Sequence, residues 1–440
     1  MNFDYDVAIV GAGIAGLTAA AHIHNQNKST IVLEARNRIG GRIFTHRTFS
    51  SAISVELGAE LIHGSNSTAY NLAIQKNIPL TAVDYLSNNQ EKERNPYGFL
   101  PPALLEENLS SYLVRTGCSL NNIPSVMQYW INDYGPPHQL DANTIINTHN
   151  QIILDISNNH HSDTKNIKDN IICPSAYQNF LTCGGYDQLL AIPGKEENLK
   201  LDAQVTEIEW NAKQVTLTYL KNNKINKVCA RKCLITVPLS LLQKSSIKFT
   251  PELPAQLLRA IHQIGYARAL KIIFKFPHPI FSSFSSFSSL SSASNAPYKA
   301  CILEDSTSSP SEWWQTGTQE NGETIMTGWA AGDHADLLLA MSETSRFNYS
   351  LEQLKKRLSN FTLTPVAAIS YDWQADPFSL GAYSFPKAGM PCTAQQDISK
   401  PLAETVFWAG EAYSAENFAS VSGAYDTAKE AAQQILSSFN

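Results

Sequence analysis

The sequence predicts an α/β (α+β) fold organised on a strand, a tight glycine turn and a helix, and three observations predict it. Val7, Ala8, Ile9 and Val10 form an apolar run that enters Gly11, Gly13 and Gly16 at the spacing G-x-G-x-x-G and continues into an alanine-rich helical pattern. Ile31, Val32 and Leu33 form a second strand that ends on an acid, Glu34, eighteen residues past Gly16. Farther on, apolar alternation through Val205, Ile208, Val215, Leu217 and Tyr219, with a polar turn at residues 221–224, reads as a hairpin.

Each of these elements has a physical reason. The first glycine allows the tight turn, the second lets backbone approach a pyrophosphate, and the third lets helix and strand pack closely, with the phosphates at the helix N-terminus. A carboxylate at Glu34 is placed to accept hydrogen bonds from ribose hydroxyls. Together these features predict a dinucleotide site, which a glycine motif alone would not. Glu34, Ala35 and Arg36 then lead into Arg38, Gly40, Gly41, Arg42 and Thr45, which make R-x-G-G-R-x-x-T. Paired glycines let the chain run close to a pyrophosphate while arginines neutralise it, which suits a cofactor that stays bound. The alternative is a solvated basic turn.

Composition bounds the rest. At 440 residues the chain has length for about two to three domains, and an apolar fraction of 43% supports a full core. Charged residues make up 16%, below the roughly 25% of average chains. A net charge of -6 argues against nucleic acid as the main partner. Seven cysteines, scattered singly without a C-x-x-C pair, predict reduced thiols and neither a disulfide framework nor a zinc site. Asp4 and Asp6 stand where a signal peptide would be basic, and no apolar run approaches the ~20 residues that span a bilayer. The reading is a soluble, cytoplasmic protein without a membrane anchor.

On the motifs at residues 11–16 and 38–45 the chain resembles the flavin-dependent amine oxidase family, which includes monoamine oxidases, polyamine oxidases and histone demethylases. The resemblance implies FAD as cofactor. It also implies a Rossmann-like FAD-binding domain of discontinuous segments, residues 1–68, 180–262 and 396–440, and a substrate domain, residues 69–179 and 263–395, with a mixed sheet flanked by helices. Gly58, Ala59, Glu60, Leu61, His63 and Gly64 resemble G-A-x-W-x-H-G, the stretch passing over one face of the flavin ring, with Leu61 where many members have tryptophan. His63 falls where spermine-type polyamine oxidases also have histidine, and a satisfied structural histidine is the equal alternative. Residues 183–190 are similar to the family's G-G-x-x-x-L. Val205 matches the valine that meets adenine through its backbone, and Pro238 ends the strand similar to x-I-x-T-V-P-L.

The catalytic end follows the same reasoning. Leu270, Ile272, Phe274 and Phe276 alternate onto one face of a strand, and Lys271 lies on the other. In isolation a strand lysine is a solubility device. The resemblance implies a different role, because Lys271 matches the family lysine that holds a water at flavin N5. Trp373, Asp376, Pro377, Gly381, Tyr383 and Ser384 resemble W-x-x-D-P-x-x-x-G-x-Y-S, in which the tryptophan packs near the isoalloxazine and the tyrosine is one wall of an aromatic cage. Such a wall steers an amine and attracts a protonated nitrogen. A core strand with two aromatics is the alternative. Ala382 stands where monoamine oxidases have a cysteine bonded to the flavin, so FAD is expected to be non-covalent. Ser420 takes the place of a second cage tyrosine, which leaves the cage half-built. Gly410 and Glu411 match A-G-E, with the acid near the ribityl chain. A helix over residues 421–436, with Val421 and Ala424 in its first turn, points N–H groups at the flavin pyrimidine, where partial positive charge stabilises the reduced, anionic flavin.

Other stretches carry less. Residues 69–178 read as a helical insert, in which Glu106, Glu107 and Asp133 are either substrate carboxylates or solvated helix charges. The Phe-Ser-Ser period at residues 281–295 reads as a mobile surface loop. A buried strand leaving on a glycine turn is expected over Thr327 to Ala335, and a helix from about Ser350 to Leu358. Polyamine oxidation is the leading function, because the spacing of twelve between Glu411 and Gly423, residues 380–384, and Gly389, Met390 and Pro391 resemble polyamine oxidases more than monoamine oxidases. The implied reaction is hydride transfer from the carbon beside nitrogen to flavin N5, imine hydrolysis, and reoxidation by O2 to give H2O2. Three alternatives stay open: a monoamine oxidase-like activity, an amino-acid oxidase-like activity, and a flavin-bound interaction protein without turnover. The second of these is disfavoured by the lack of an arginine in GAELIHG.

Overall fold

The computed structural model describes residues 3–51, 53–85, 179–191, 199–278, 280, 300–304, 308–317, 322–387, 394–415 and 417–439. The expectations for most of the helical insert, for Glu106, Glu107 and Asp133, for residues 281–295, and for Gly389, Met390 and Pro391 lie outside the described residues. The chain forms two compact units, one from residues 1–44, 189–267 and 373–440 and the other from residues 45–188 and 268–372.

The first unit grows from the strand Tyr5–Val10, in which Val7, Ala8, Ile9 and Val10 are buried. It pairs in parallel with Thr30–Leu33 on one side and Lys224–Ile235 on the other. Leu199–Lys200 extends the sheet beyond Thr30–Leu33, and Val406–Trp408 joins Lys224–Ile235, both in parallel. The hairpin read from the alternation is present as Gln204–Trp210 and Val215–Lys221, continuing antiparallel into Lys224–Ile235. A parallel centre needs covering on its faces, which is why its strands are continuous apolar runs. The helix Ile14–His24 serves this purpose and packs against the helix Val421–Ser437. Close packing demands a missing side chain at Gly16, where a Cβ would lie 2.0 Å from the Gly11 carbonyl oxygen.

The second unit carries a mixed sheet in the order Ala367–Asp372, Ala269–Phe276, Thr324–Ala331, Glu312–Gly317, Ala300–Glu304, Leu80–Tyr85, Asn179–Thr182, Leu61–His63. Its pairs are antiparallel apart from Ala300–Glu304 with Leu80–Tyr85. Leu270, Ile272, Phe274 and Phe276 share one face, as the alternation predicts, and pack with Trp313, Met326, Leu338 and Leu354. The opposite face is covered as well, with Ile273 at 0% and Lys271 at 7% exposure. Lys271 is therefore an interior residue, and the solubility reading does not apply to it.

Two boundaries differ from expectation. The second helix after the central strands runs Glu343–Arg357 and starts well before Ser350. Ser342 caps it by accepting the Ser345 N–H at 3.3 Å, while Glu343 in the first turn and Lys355, Lys356 and Arg357 in the last complement its dipole. The strand expected from Thr327 runs Thr324–Ala331, and Gly332, at φ 54°, opens the next helix, Gly332–Leu339. Among the described residues no helix is long and apolar enough to cross a membrane, and no group of His, Cys, Asp and Glu is arranged to hold a metal.

Candidate active site

In the first unit the glycine turn forms a cradle of bare backbone. Gly40 donates its N–H to the Ala12 carbonyl at 2.8 Å, which brings the second glycine motif against the first and bridges Gly13 to Gly40. Gly11 and Gly40 have φ of 105° and 99°, a region in which side chains are strained, so both positions require glycine. Gly13 is different. A Cβ there would meet only the Gly40 carbonyl oxygen, at 3.9 Å, so its lack of a side chain serves space and not packing. Gly13 also begins the helix Ile14–His24 with no capping side chain and no acid in the first turn. Uncapped N–H groups beside open space suit a phosphate, so the residues present fit the nucleotide half of a dinucleotide cofactor.

Side chains around the cradle are held by short polar contacts. Glu34, buried at the strand end, accepts the Ala12 N–H at 2.8 Å and the Arg36 N–H at 2.9 Å, which fixes its carboxylate at the mouth of the turn. Arg36 reaches Asp376 and donates to Ser379 at 2.8 Å, tying the Trp-x-x-Asp-Pro segment to the strand end. Arg38 bends back to the Gly41 carbonyl at 2.9 Å and lies over the Phe44 ring. Arg42 donates to Glu411 at 2.7 Å and to the Ala382 carbonyl at 2.8 Å. Glu411 also accepts from Ser384, through both its N–H and its hydroxyl, and from the Ala419 N–H at 3.0 Å. Glu411 thus organises Arg42, Ser384 and the entry to the last helix.

The segment around Tyr383 is pinned at several points. Gly381 has φ 143°, and a Cβ there would lie 2.3 Å from the Tyr266 ring, so the glycine lets that ring lie on the backbone. Ala382 donates its N–H to the Ala267 carbonyl at 2.9 Å, and Tyr383 then pairs with Ala267 in a two-stranded sheet of Ile264–Ala267 and Tyr383–Pro386. Trp373 is buried and accepts the Gly381 N–H at 2.9 Å. Ser420, read as a missing cage tyrosine, caps the last helix by accepting the Gly423 N–H at 3.0 Å. Val421 and Ala424 follow in its first turn, Gly410 stands ahead of Glu411 at φ 144°, Val205 is buried on the hairpin, and Pro238 begins the short helix Leu239–Gln243.

The second unit contains a buried charged cluster. Lys271 donates to the Glu56 carbonyl at 3.0 Å, the Gly58 carbonyl at 2.6 Å and Glu60 at 2.6 Å, one acceptor for each ammonium hydrogen. The other carboxylate oxygen of Glu60 accepts the Trp314 indole N–H at 2.9 Å. Nearby, Glu56 accepts the Tyr186 N–H and the Thr45 hydroxyl, and its carboxyl is pushed up to about 7, first by burial and then by the charge of Glu60. Ala59 lies between these ligating positions, and Leu61 starts the strand that carries His63. His63 presents Nδ1 to the Asn179 side-chain oxygen at 2.8 Å, so Nδ1 carries the proton and Nε2 the lone pair. Burial holds its pKa below the ordinary value and keeps the ring neutral.

Sequence reading passed over Trp314, Glu56 and Tyr266. Trp314 sits in a Glu-Trp-Trp-Gln run with no signal separating it from core aromatics, whereas an acid between apolar residues two positions before a glycine, as at Glu56, was a legible one.

A family model described as flavin containing amine oxidoreductase matches residues 14–189 and 155–436. The chain belongs to that family. It is a flavin-dependent amine oxidoreductase. Probable polyamine oxidase 4 of Arabidopsis thaliana is 24% identical over 98% of this chain and 87% of its own length. Lysine-specific histone demethylase 1 homolog 3 of Arabidopsis thaliana is 23% identical over 98% of this chain, which spans 30% of that relative. Among solved structures, wild-type putrescine oxidase bound to putrescine is similar with a TM-score of 0.69 and 18% identity, over 98% of this chain and 99% of the other. Cyclohexylamine oxidase from Brevibacterium oxydans is similar with a TM-score of 0.67 and 18% identity, over 99% of both chains. These structures share the fold of this amine oxidoreductase.

Two outcomes follow from the geometry. Gly13→Ala is expected to fold with a melting temperature near wild type and to lose flavin, while Gly16→Ala, whose Cβ meets backbone, loses stability as well; melting curves and flavin content on the purified variants distinguish them. For Glu56, a carboxyl raised from 4.5 to about 7 binds a proton in the folded chain that the unfolded chain releases, so its contribution is complete below about 4.5 and lost as pH rises through about 7. Glu56→Gln, neutral throughout, is expected to flatten the dependence of melting temperature on pH across that window, and an unchanged slope contradicts the assignment.

Proposed function

We propose that this amine oxidoreductase oxidises a polyamine or a related amine with a non-covalently held FAD. The observation that carries the reading is the pinned pair Ala382 and Tyr383: an alanine methyl at the position from which a thiol would bond the flavin, followed by an aromatic ring fixed on a two-stranded sheet. The polyamine oxidase relatives, over most of their length, and the putrescine-bound neighbour support an amine with more than one nitrogen.

The chemistry FAD would supply when bound is uptake of a hydride from the carbon beside the amine nitrogen and its passage as two electrons to O2, with an imine left for hydrolysis and H2O2 as co-product. The protein's residues bind and orient. Gly11, Gly13, Gly16, Gly40 and Gly41 give the pyrophosphate a surface of bare backbone, with the uncapped N–H groups that follow Gly13 as donors, and Glu34, with Ala35 and Arg36 beside it, takes the ribose. Val205 and Pro238 border the nucleotide, Arg42 adds a fixed cation, and Trp373, Gly410, Glu411, Val421 and Ala424 support the ring and its chain. In the second unit, Gly58, Ala59, Glu60 and Leu61 form a segment of flavin contact, and Lys271 positions a water. The Lys271 contact to the Glu56 carbonyl, the longest of its three, is the one a water would take over. Tyr383 supplies an aromatic wall for the amine. A neutral His63 offers Nε2 as acceptor to a substrate N–H.

The test is H2O2 release by the purified yellow protein across spermine, spermidine, benzylamine and L-amino acids, with the flavin freed by acid. Peroxide from the polyamines and intact FAD in the supernatant are expected; flavin left on the precipitated chain contradicts non-covalent binding, and activity confined to benzylamine or amino acids contradicts the substrate class. Tyr383→Phe is expected to change amine turnover little and Tyr383→Ala to lose about tenfold or more in kcat/KM, equivalent to ~1.4 kcal/mol of lost aromatic contact. Equal losses in the two variants would place the effect in the hydroxyl and remove the aromatic wall.

A further inference from the structure

Glu60 stands at a position read from sequence as a flavin contact, yet its carboxylate is committed elsewhere. One oxygen meets the Lys271 ammonium at 2.6 Å and the other accepts the Trp314 indole N–H at 2.9 Å. Among the described residues these are its two partners, and the three side chains are all nearly excluded from solvent. The Trp314 ring also lies 5.4 Å from the Lys271 ammonium, so the same indole fixes the carboxylate by its N–H and faces the cation with its π surface.

The arrangement solves a specific problem. A lysine on the interior strand Ala269–Phe276, flanked in register by Trp329 and Tyr371, has a long side chain with many rotamers and is almost wholly buried. Two backbone carbonyls alone would leave an ammonium uncompensated in the interior. A carboxylate held at both oxygens supplies the countercharge and fixes the direction of the ammonium, and the Gly58 carbonyl at 2.6 Å fixes a second direction. Only the longer contact to the Glu56 carbonyl is left to exchange.

We propose that Glu60 is the positioning residue of Lys271: it aims the ammonium, with Trp314 locking the carboxylate in place. This rests on the proposed role of Lys271 at the flavin. Removing the carboxylate should therefore act on catalysis only through the lysine.

The experiment is a double-variant cycle of Glu60→Gln and Lys271→Met, read in two ways. In flavin-loaded protein, anaerobic reduction by spermine and reoxidation by O2 are timed separately. Glu60→Gln is expected to slow the half-reaction that depends on Lys271 by about tenfold in the wild-type background and to change nothing in the Lys271→Met background. An equal slowing in both backgrounds marks a merely structural Glu60 and overturns the proposal. In flavin-stripped protein, thermal unfolding is expected to fall for Glu60→Gln and to recover when Lys271→Met is added, because the unpaired buried charge is then gone; a further fall overturns it. If Lys271→Met is slow and Glu60→Gln is not, positioning fails alone. If Lys271→Met matches wild type in both half-reactions, the role of Lys271 fails and the positioning role falls with it. Should Glu60→Gln not accumulate as folded protein, Trp314→Phe loosens the carboxylate while keeping the charge pair, and a smaller slowing that vanishes in the Lys271→Met background is expected in its place.

Discussion

The first unit depends on backbone meeting backbone where side chains would normally intervene. Gly16 brings a helix onto the Gly11 carbonyl, and Gly40 folds a later loop onto Ala12, so strand end, helix and loop meet backbone to backbone. The sheet order follows from this, because Tyr5–Val10 has to lie at the centre for its end to reach the turn, with parallel neighbours whose ends supply Glu34 and Thr236. Thr236 seals the turn by donating to the Val10 carbonyl at 2.8 Å. At Gly13, by contrast, packing does not require a glycine, and the space left there is where the proposed phosphate site lies.

Charge in the interior is handled by the same logic in each unit. Arg36 with Asp376, Arg42 with Glu411, and Lys271 with Glu60 are ion pairs in which each cation has further polar partners and little water. Pairs of this kind add little net stability over apolar side chains of the same shape, since desolvation offsets much of the Coulomb attraction. What they add is geometry. Arg42 binds the Ala382 carbonyl next to Tyr383, and Glu411 binds Ser384 after it, so the aromatic segment is fixed on both sides by one pair.

Much of the fold and part of the site were legible in the sequence, for local reasons. Glycines at 11, 16, 40 and 381 answer a backbone requirement that no other residue meets, and alternation over residues 269–276 shows which side chains share a face. The cover over Lys271 was not legible. It comes from Glu56, Gly58 and Glu60, more than two hundred positions away, and from a tryptophan on another strand, contacts that no short pattern encodes. The helix Glu343–Arg357 was read late because its first turn, residues 343–346, shows only polar residues, and its inward face includes Ser350 and Leu354, both 0% exposed.

The strand, turn and helix at Gly11, Gly13 and Gly16 are proposed to hold a flavin by its dinucleotide half. The most direct measurement titrates flavin-stripped protein with FAD and, separately, with FMN, following flavin fluorescence. Saturable binding of FAD with FMN bound far more weakly is the predicted result. Equal affinity for the two, or FMN preferred, would contradict it.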